Sequence, residues 1–310
     1  MRMRRRERGA ALLTAMVIVT LVATLAAAMV WQQWRAVQAE AIERSRIQAA
    51  WILTGALDWA RLILREDARA GGPDHLGEPW AVPLAEARLS SFLAVDKDNT
   101  DDAPEAFLSG TITDAQARYN LRNLFEEQED KVIPAELAIL KRLCETAGVA
   151  DDVADRLATA LAAANLAQGD AALMPESIAQ LAWLGFDADT RKRLAPYVVL
   201  LPTRTPVNIN TASSEVIAAA VEGLQRGDAE QLVQARQRTP FRSLAQAQAL
   251  LPNGITLQPK QASTATRYFE VRGRLRLGDR VLVEQSLLER RGASVIAVQR
   301  ERVNLTEPQP

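Results

Sequence analysis

Residues 10–31 form an uninterrupted uncharged segment, AALLTAMVIVTLVATLAAAMVW, directly after a short basic stretch. Its 22 residues match the roughly 20 that a helix needs to cross a ~30 Å hydrocarbon core. The preceding MRMRRRERG carries five arginines against one glutamate, and basic residues beside a membrane segment stay on the cytoplasmic side. We therefore predict a single-pass anchor with a cytoplasmic N-terminus. Trp31 and Trp34 would lie at the far interface, and the rest of the chain outside the cytoplasm.

This N-terminus fits two kinds of proteolytic processing. A secretory signal peptide has a shorter apolar run that ends in small residues, and Ala26, Ala27 and Ala28 could imitate that end. The second kind is a cut between Gly9 and Ala10. A basic leader that ends in Gly and precedes an unbroken apolar helix resembles the leader of type IV pilins and pseudopilins. That resemblance implies cleavage by a membrane-embedded peptidase on the cytoplasmic face and a methylated N-terminus at Ala10.

The reactive residue types are scarce. Cys144 is the only cysteine and His75 the only histidine, so neither a disulfide framework nor a multi-cysteine zinc site can form within the chain. A single imidazole also makes Ser-His and Cys-His catalytic pairs improbable. Cys144 lies in an apolar helical pattern and is expected to be buried. We predict no catalytic residues, no metal ligands and no enzymatic activity.

The helical pattern continues beyond the membrane segment to Arg69, before the Gly71-Gly72-Pro73 stop. Apolar residues spaced by four and three positions predict one buried face. These are Ile52, Ala56, Trp59 and Ile63. Trp51 and Trp59 are expected to pack in the core.

Further helices are predicted in the middle of the chain. Pro134 opens one that ends at Gly148, and two more are expected over residues 151–165 and 175–184. A second helical unit spans residues 208–251. In its NINT turn, Asn208 and Asn210 are expected to bond to backbone groups, with Thr211 as an N-cap.

The last segments alternate apolar and polar residues in three runs with glycines between them. YFEVRGRLRLG, RVLVEQSLLER and ASVIAVQRER predict an antiparallel meander. A further strand is expected over residues 107–113. A long helix at one end and strands at the other can share a core only if the chain returns across the intervening helices, which implies an insertion.

Four segments, in this order, resemble type II secretion system protein K, a family of large minor pseudopilins: IQAAWILTGALDWARLIL, DHLGEPWAVP, GTITDAQARYNLRNL and PVNINTASSEVI. The resemblance covers nearly the whole chain. It implies an α+β fold, with a pilin-like long N-terminal helix and antiparallel sheet and a large inserted all-α region of SAM-like, helix-hairpin-helix-like units. The expected divisions are a basic leader (1–9), a transmembrane helix (10–31), a first pilin-like part (32–119), two inserted helical units (120–205 and 206–264) and C-terminal strands (265–310).

Thr14 occupies the fifth position after the expected cut. Major pseudopilins carry a Glu there, which is thought to pair with the α-amino group of the subunit assembled above it, because an unpaired carboxylate inside a bilayer is costly. A subunit with nothing above it has no such amine to meet. The missing acid therefore agrees with a tip position, while a plain anchor that never assembles is the alternative.

The second helical unit also resembles the helix-hairpin-helix units of DNA-binding proteins. Those units place a Gly-hydrophobic-Gly turn at a helix N-terminus to hold a phosphate, whereas this sequence has the longer Gly223-Leu224-Gln225-Arg226-Gly227. Residues 204–242 hold five arginines against four acids, too little excess charge for a phosphate-binding surface. Both observations disfavour DNA binding, so we expect no nucleic acid partner. The alternative function is that of a membrane-anchored periplasmic DNA-binding protein.

Two stretches bear on calcium, which has been associated with this fold. Asp96 and Asp98 resemble the start of a calcium loop, but Asp101 stands where the loop needs glycine and Phe107 where it needs a bidentate glutamate. The second stretch, residues 160–170, corresponds to a segment that is often rich in acids in the family that these segments resemble, but here it holds five alanines and one acid, Asp170. We expect no cofactor, and calcium is the alternative.

The resemblance implies a role in capping the pseudopilus tip and aiding its assembly, for export of folded periplasmic proteins across the outer membrane. The implied location is the inner membrane, with the globular part in the periplasm. The implied partners are other minor pseudopilins, the prepilin peptidase and secreted substrate proteins.

Overall fold

The computed structural model describes residues 6–89, 106–126, 131–166, 172–278 and 280–303, with only the backbone for residues 6–9 and Val303. The acidic stretch 96–105 and the end of the alanine-rich stretch 160–170 lie outside the described residues. The chain divides into two units, Met1–Thr54 and Gly55–Pro310.

Helix α1 runs over Arg6–Ala70 and confirms the predicted long helix. It ends where glycine permits a left-handed backbone. Gly71 has φ +69°, and its N–H donates to the carbonyl of Asp67 at 3.1 Å.

A five-stranded antiparallel sheet lies in the second unit. Its strands stand in the order β1 (Leu84–Arg88), β2 (Ala106–Asp114), β7 (Tyr268–Leu277), β8 (Arg280–Arg291) and β9 (Ser294–Val303). The predicted meander is confirmed as β7–β8–β9, and β2 confirms the further strand. Strand β1 was not predicted, because its five residues LAEAR lack a clear apolar alternation. β2 and β7 pair along their length although residues 115–267, which we call the helical region, separate them in sequence.

Leu57, Ala60 and Leu64 of α1 pack in a core with Trp80, Phe269, Val271 and Leu288. The rings of Trp80 and Phe269 meet edge to face with centroids 5.2 Å apart. The predicted α1 face was wrong by one position: Trp59 is 44% exposed and Trp51 73% exposed. Apolar residues with the same spacing occupy two adjacent faces of this helix, so periodicity alone did not determine the buried one.

The helical region lies between β2 and β7. Its α-helices are α2 (Pro134–Ala147), α3 (Val153–Leu166), α4 (Ala188–Leu194), α5 (Ser214–Ala220), α6 (Arg226–Arg238) and α7 (Leu244–Gln248). Gly148 ends α2 in a left-handed conformation, as predicted. The helix predicted over residues 175–184 is instead the 3-10 helix Ile178–Leu184.

The helical region has one hydrophobic cluster that draws on both of its expected units. Leu140, Leu157 and Leu194 contribute from the first stretch, and Ile217 and Leu232 from the second. Two short parallel strand pairs also occur within the region, β3 (Tyr119–Asn120) with β4 (Val198–Val199) and β5 (Val207–Asn208) with β6 (Ala262–Ser263). The predicted α+β fold is thus confirmed.

Candidate functional site

The apolar segment of α1 is exposed along its whole length in the first unit. Within the described part of the chain, one helix is long and apolar enough to span a membrane, and its most apolar stretch is not buried at all. Trp31 ends this segment and Trp34 follows it, with ring centroids 5.9 Å apart. A fully exposed apolar helix fits a single-pass anchor, because lipid can cover side chains that the protein leaves uncovered.

The hydroxyl of Thr14 finds its hydrogen-bond acceptors within its own helix. It donates to the carbonyl oxygens of Ala10 and Ala11 at 3.0 and 2.9 Å. A glutamate at this position would instead present a carboxylate that requires a partner in the bilayer. The bond between Gly9 and Ala10 lies within α1.

In the second unit, buried polar side chains join the sheet to the helical region. We call Asp114, Asn208, Thr211 and Thr266 the polar junction. One oxygen of Asp114, Oδ2, accepts from the Asn208 amide at 2.9 Å and from the hydroxyls of Thr211 and Thr266 at 2.6 and 2.5 Å. The other, Oδ1, accepts the N–H of Gln116 at 2.7 Å. Burial raises the pKa of Asp114, while these four donors lower it.

The NINT turn therefore does more than satisfy local backbone groups. The Asn208 amide also donates to the carbonyl of Asp74 and the hydroxyl of Thr266. Asn210 exchanges two hydrogen bonds with the backbone of Phe241, at 2.9 and 3.0 Å. The prediction that Thr211 caps a helix is wrong. Ser213 is the N-cap of α5 and accepts from the N–H of Val216, whereas the Thr211 hydroxyl is committed to Asp114.

A second group of charged residues, which we call the acid cluster, joins the end of α1 to the loop after it and to β8. Its members are Asp67, Asp74, Glu78 and Arg290. The guanidinium of Arg290 donates to Asp67 Oδ2 at 2.7 Å and to Asp74 Oδ1 at 2.6 Å. It supplies the positive charge at the place where these carboxyl groups converge. No sequence motif pointed to it, since its members come from three separate segments.

The lone cysteine and histidine have structural surroundings. Cys144 is buried, as predicted, and burial raises the pKa of its thiol to about 11, which disfavours the thiolate at neutral pH. His75 Nδ1 accepts the N–H of Gly77 at 3.1 Å. Neither residue takes part in the polar junction.

Two family models described as type II secretion system protein K match this chain, one over residues 117–203 and the other over residues 207–266. Protein K of Pseudomonas aeruginosa is 31% identical over 316 residues, an alignment that covers 93% of this chain and 90% of that protein. This chain belongs to the type II secretion system protein K family. Protein K of Klebsiella pneumoniae is 29% identical over 334 residues, covering 96% of this chain and 97% of that protein.

A solved structure supports the fold of this protein K family member. One chain of the GspK-GspI-GspJ complex from the type 2 secretion system of enterotoxigenic Escherichia coli superposes with a TM-score of 0.61. The match covers 85% of this chain and 98% of that chain at 19% sequence identity. The resemblance drawn from the four sequence segments is therefore confirmed. The family is a structural component of a secretion system.

The family gives no support to the DNA-binding alternative, and neither does the turn that suggested it. Helix α6 begins at Arg226 without a side-chain cap, and Arg226 pairs with Glu215 at 2.6 Å and with Glu230 at 3.1 Å. Arg236 donates to the carbonyl of Ile209, and burial lowers its pKa to about 10. Both arginines thus bond to groups of the protein itself.

Proposed function

We propose that this chain is a minor pseudopilin that caps the tip of the pseudopilus and aids its assembly, for export of folded periplasmic proteins across the outer membrane. The observation that carries the capping role is the helical region with its own hydrophobic core, inserted between β2 and β7. This bulk would obstruct a subunit added above it. Thr14 gives independent support, since it offers no carboxylate to an amine from above.

We propose that the anchor crosses the inner membrane once, with the basic leader in the cytoplasm and the globular part in the periplasm. The arginines that precede the apolar segment support this orientation. The prepilin peptidase would cut between Gly9 and Ala10, and a methylated Ala10 would begin the mature chain. The helical region would comprise two units, residues 120–205 and 206–264, whose buried side chains share one cluster.

Other minor pseudopilins are the proposed neighbours, and secreted substrate proteins are proposed contacts. The support is that the solved structure with this fold is a complex of GspK with GspI and GspJ. We expect full-length tagged protein, extracted in detergent, to co-purify with the minor pseudopilins of its own system. The matched control is a single-pass membrane protein with the same tag. Equal recovery with the control, measured by mass spectrometry, would contradict the proposed partnership.

The tip position predicts that the chain does not polymerise alone. Purified full-length protein should form no homopolymeric filaments under conditions in which a major pseudopilin does, as judged by electron microscopy. Thr14→Glu should not change this, because the restored carboxylate leaves the bulk of the helical region in place. Thr20→Glu is the matched control, since Thr20 bonds to its own helix in the same way. Filaments formed by the unaltered chain would refute the tip position. Immunolabelling that is spread evenly along the pilus shaft would also refute it.

A further inference from the structure

The acid cluster brings three carboxyl groups together at the loop that follows α1. Among the described residues, one guanidinium stands beside them. Single oxygens of Asp67, Asp74 and Glu78 all lie within 4.8 Å of one another. Arg290 bonds to two of these side chains, and its Nη2 also donates to the carbonyl of Thr266 at 2.7 Å. If all three acids were ionised, one guanidinium would face three carboxylates in a largely buried place.

Glu78 is the carboxyl group that Arg290 does not reach. Its Oε2 accepts the N–H of His75 and the indole N–H of Trp80, both at 2.8 Å. Across the described residues, no basic side chain forms an ion pair with Glu78. Carboxylates this close to each other seldom ionise together, and one proton between them removes the repulsion and adds a hydrogen bond.

We propose that Asp67 keeps its proton and donates it to Glu78, and that this hydrogen bond fastens the loop to the end of α1 as a pH-sensitive brace. Burial and the hydrogen bond with Glu78 raise the pKa of Asp67 to about 6, against the opposing effect of Arg290. Burial also raises the pKa of Asp74, although Arg290 and the N–H of Thr266 oppose that rise.

The charged and titratable groups around Asp67 come from two other elements. The loop contributes Asp74, Glu78 and His75, whose imidazole is engaged with the N–H of Gly77. Strand β8 contributes Arg290, which also lies 5.0 Å from the centre of the Phe269 ring. The brace is thus one guanidinium, three carboxyl groups and one proton.

The sign of the pH effect follows from the direction of the shift. When the loop is attached, the pKa of Asp67 is about 6, so the residue holds its proton up to about that pH. When the loop detaches, this pKa returns toward its ordinary value of 3.8. The attached state therefore binds more protons between these two values. Attachment is strongest below about pH 4, weakens as the pH rises to about 6, and changes little above that, with a total effect of about 100-fold in the opening equilibrium.

The brace has a structural consequence because the loop carries Trp80, which is buried against Phe269 in the core between α1 and the sheet. Opening the loop would remove this indole from the core.

Hydrogen exchange of the full-length protein in detergent micelles tests the brace. The informative amides are those of Asp74, which donates to Thr264, of Ala81, which donates to Glu78, and of Thr266, which donates to the Asp74 side chain. We expect their protection factors to be about tenfold higher at pH 4.5 than at pH 7.0. Protection factors divide out the intrinsic dependence of exchange on pH.

Asp67→Asn mimics the protonated acid at every pH, because its amide can donate to Glu78 while its oxygen accepts from Arg290. Its protection factors should differ by less than about twofold between the two pH values. Asp58→Asn is the matched control on the same helix, since Asp58 is exposed and bonds to Arg61. It should keep the tenfold difference.

Three results would overturn the proposal. They are an unaltered chain whose protection is the same at both pH values, an Asp67→Asn variant that keeps the tenfold difference, and protection at pH 7.0 restored by millimolar calcium chloride in the unaltered chain. The last result would show that a divalent cation, rather than a proton, neutralises the cluster. If Asp67→Asn fails to fold by circular dichroism, Glu78→Gln takes its place with the same expected loss of pH dependence.

Discussion

Asp114→Ala should lower the free energy of unfolding of the globular part by about 3–5 kcal/mol. The carboxylate is fully buried and accepts four hydrogen bonds, from Gln116, Asn208, Thr211 and Thr266. Alanine would leave these donors without their acceptor, in a place that water does not reach. The measurement is a urea titration of the full-length protein in detergent, followed by circular dichroism.

Two further variants show whether the loss in free energy of unfolding comes from the unpaired donors around Asp114 or from the removal of any acidic side chain. Asp114→Asn should cost about 1–3 kcal/mol, because one amide oxygen can still accept at the position of Oδ2 while the amide nitrogen opposes the N–H of Gln116. Asp155→Ala is the matched control, since Asp155 is half-exposed and pairs with Lys141 on the surface. It should cost less than about 1 kcal/mol. An Asp114→Ala variant as stable as this control would contradict the role we give to the polar junction.

Gly9→Leu should leave essentially all of the chain unprocessed, whereas Gly9→Ala should have a mild effect. The proposed peptidase cuts directly after residue 9, so a bulky side chain there would obstruct the bond, while alanine adds one methyl group. Intact mass and N-terminal sequencing of protein extracted from membranes would measure the mature start. The expected start is Ala10.

Ala11→Leu is a matched control, because it places the same bulky side chain two positions further along the helix and leaves the residue before the cut intact. We expect it to be processed nearly as well as the unaltered chain. A mature start near residue 29 would indicate an ordinary signal peptide. An uncut leader in the unaltered chain would refute the proposed processing.

The sequence predicted the elements whose boundaries depend on local chemistry. Pro134 and Gly148 bracket α2 as expected, because proline suits a first turn and glycine the left-handed residue after the last. Strict alternation likewise identified β7, β8 and β9. The sequence could not decide between adjacent apolar faces of α1, or between an α-helix and a 3-10 helix over Ile178–Leu184. Both outcomes depend on what the element packs against.

The polar junction and the acid cluster were largely invisible in the sequence because their members are far apart in the chain. Asn208 was singled out in the NINT turn, yet its partners Asp74 and Thr266 lie 134 and 58 positions away. Arg290 meets Asp67 across 223 positions. A single sequence shows which polar residues stand beside strand ends, but it does not show which of them the fold brings together.

The pairing of β2 with β7 also constrains the order in which this chain can fold. Asp114 of β2 pairs with Phe269 of β7 and bonds to Thr266 across 152 positions, so the sheet cannot be completed until the strands that follow the helical region have been synthesised. Closing a loop that long has an entropic cost, which falls when the intervening chain is already compact. We therefore expect the helical region to become compact first and to bring its two ends together. On this pathway β2 waits as an unpaired edge until β7, β8 and β9 emerge, and it is then the part of the nascent chain most exposed to misassociation.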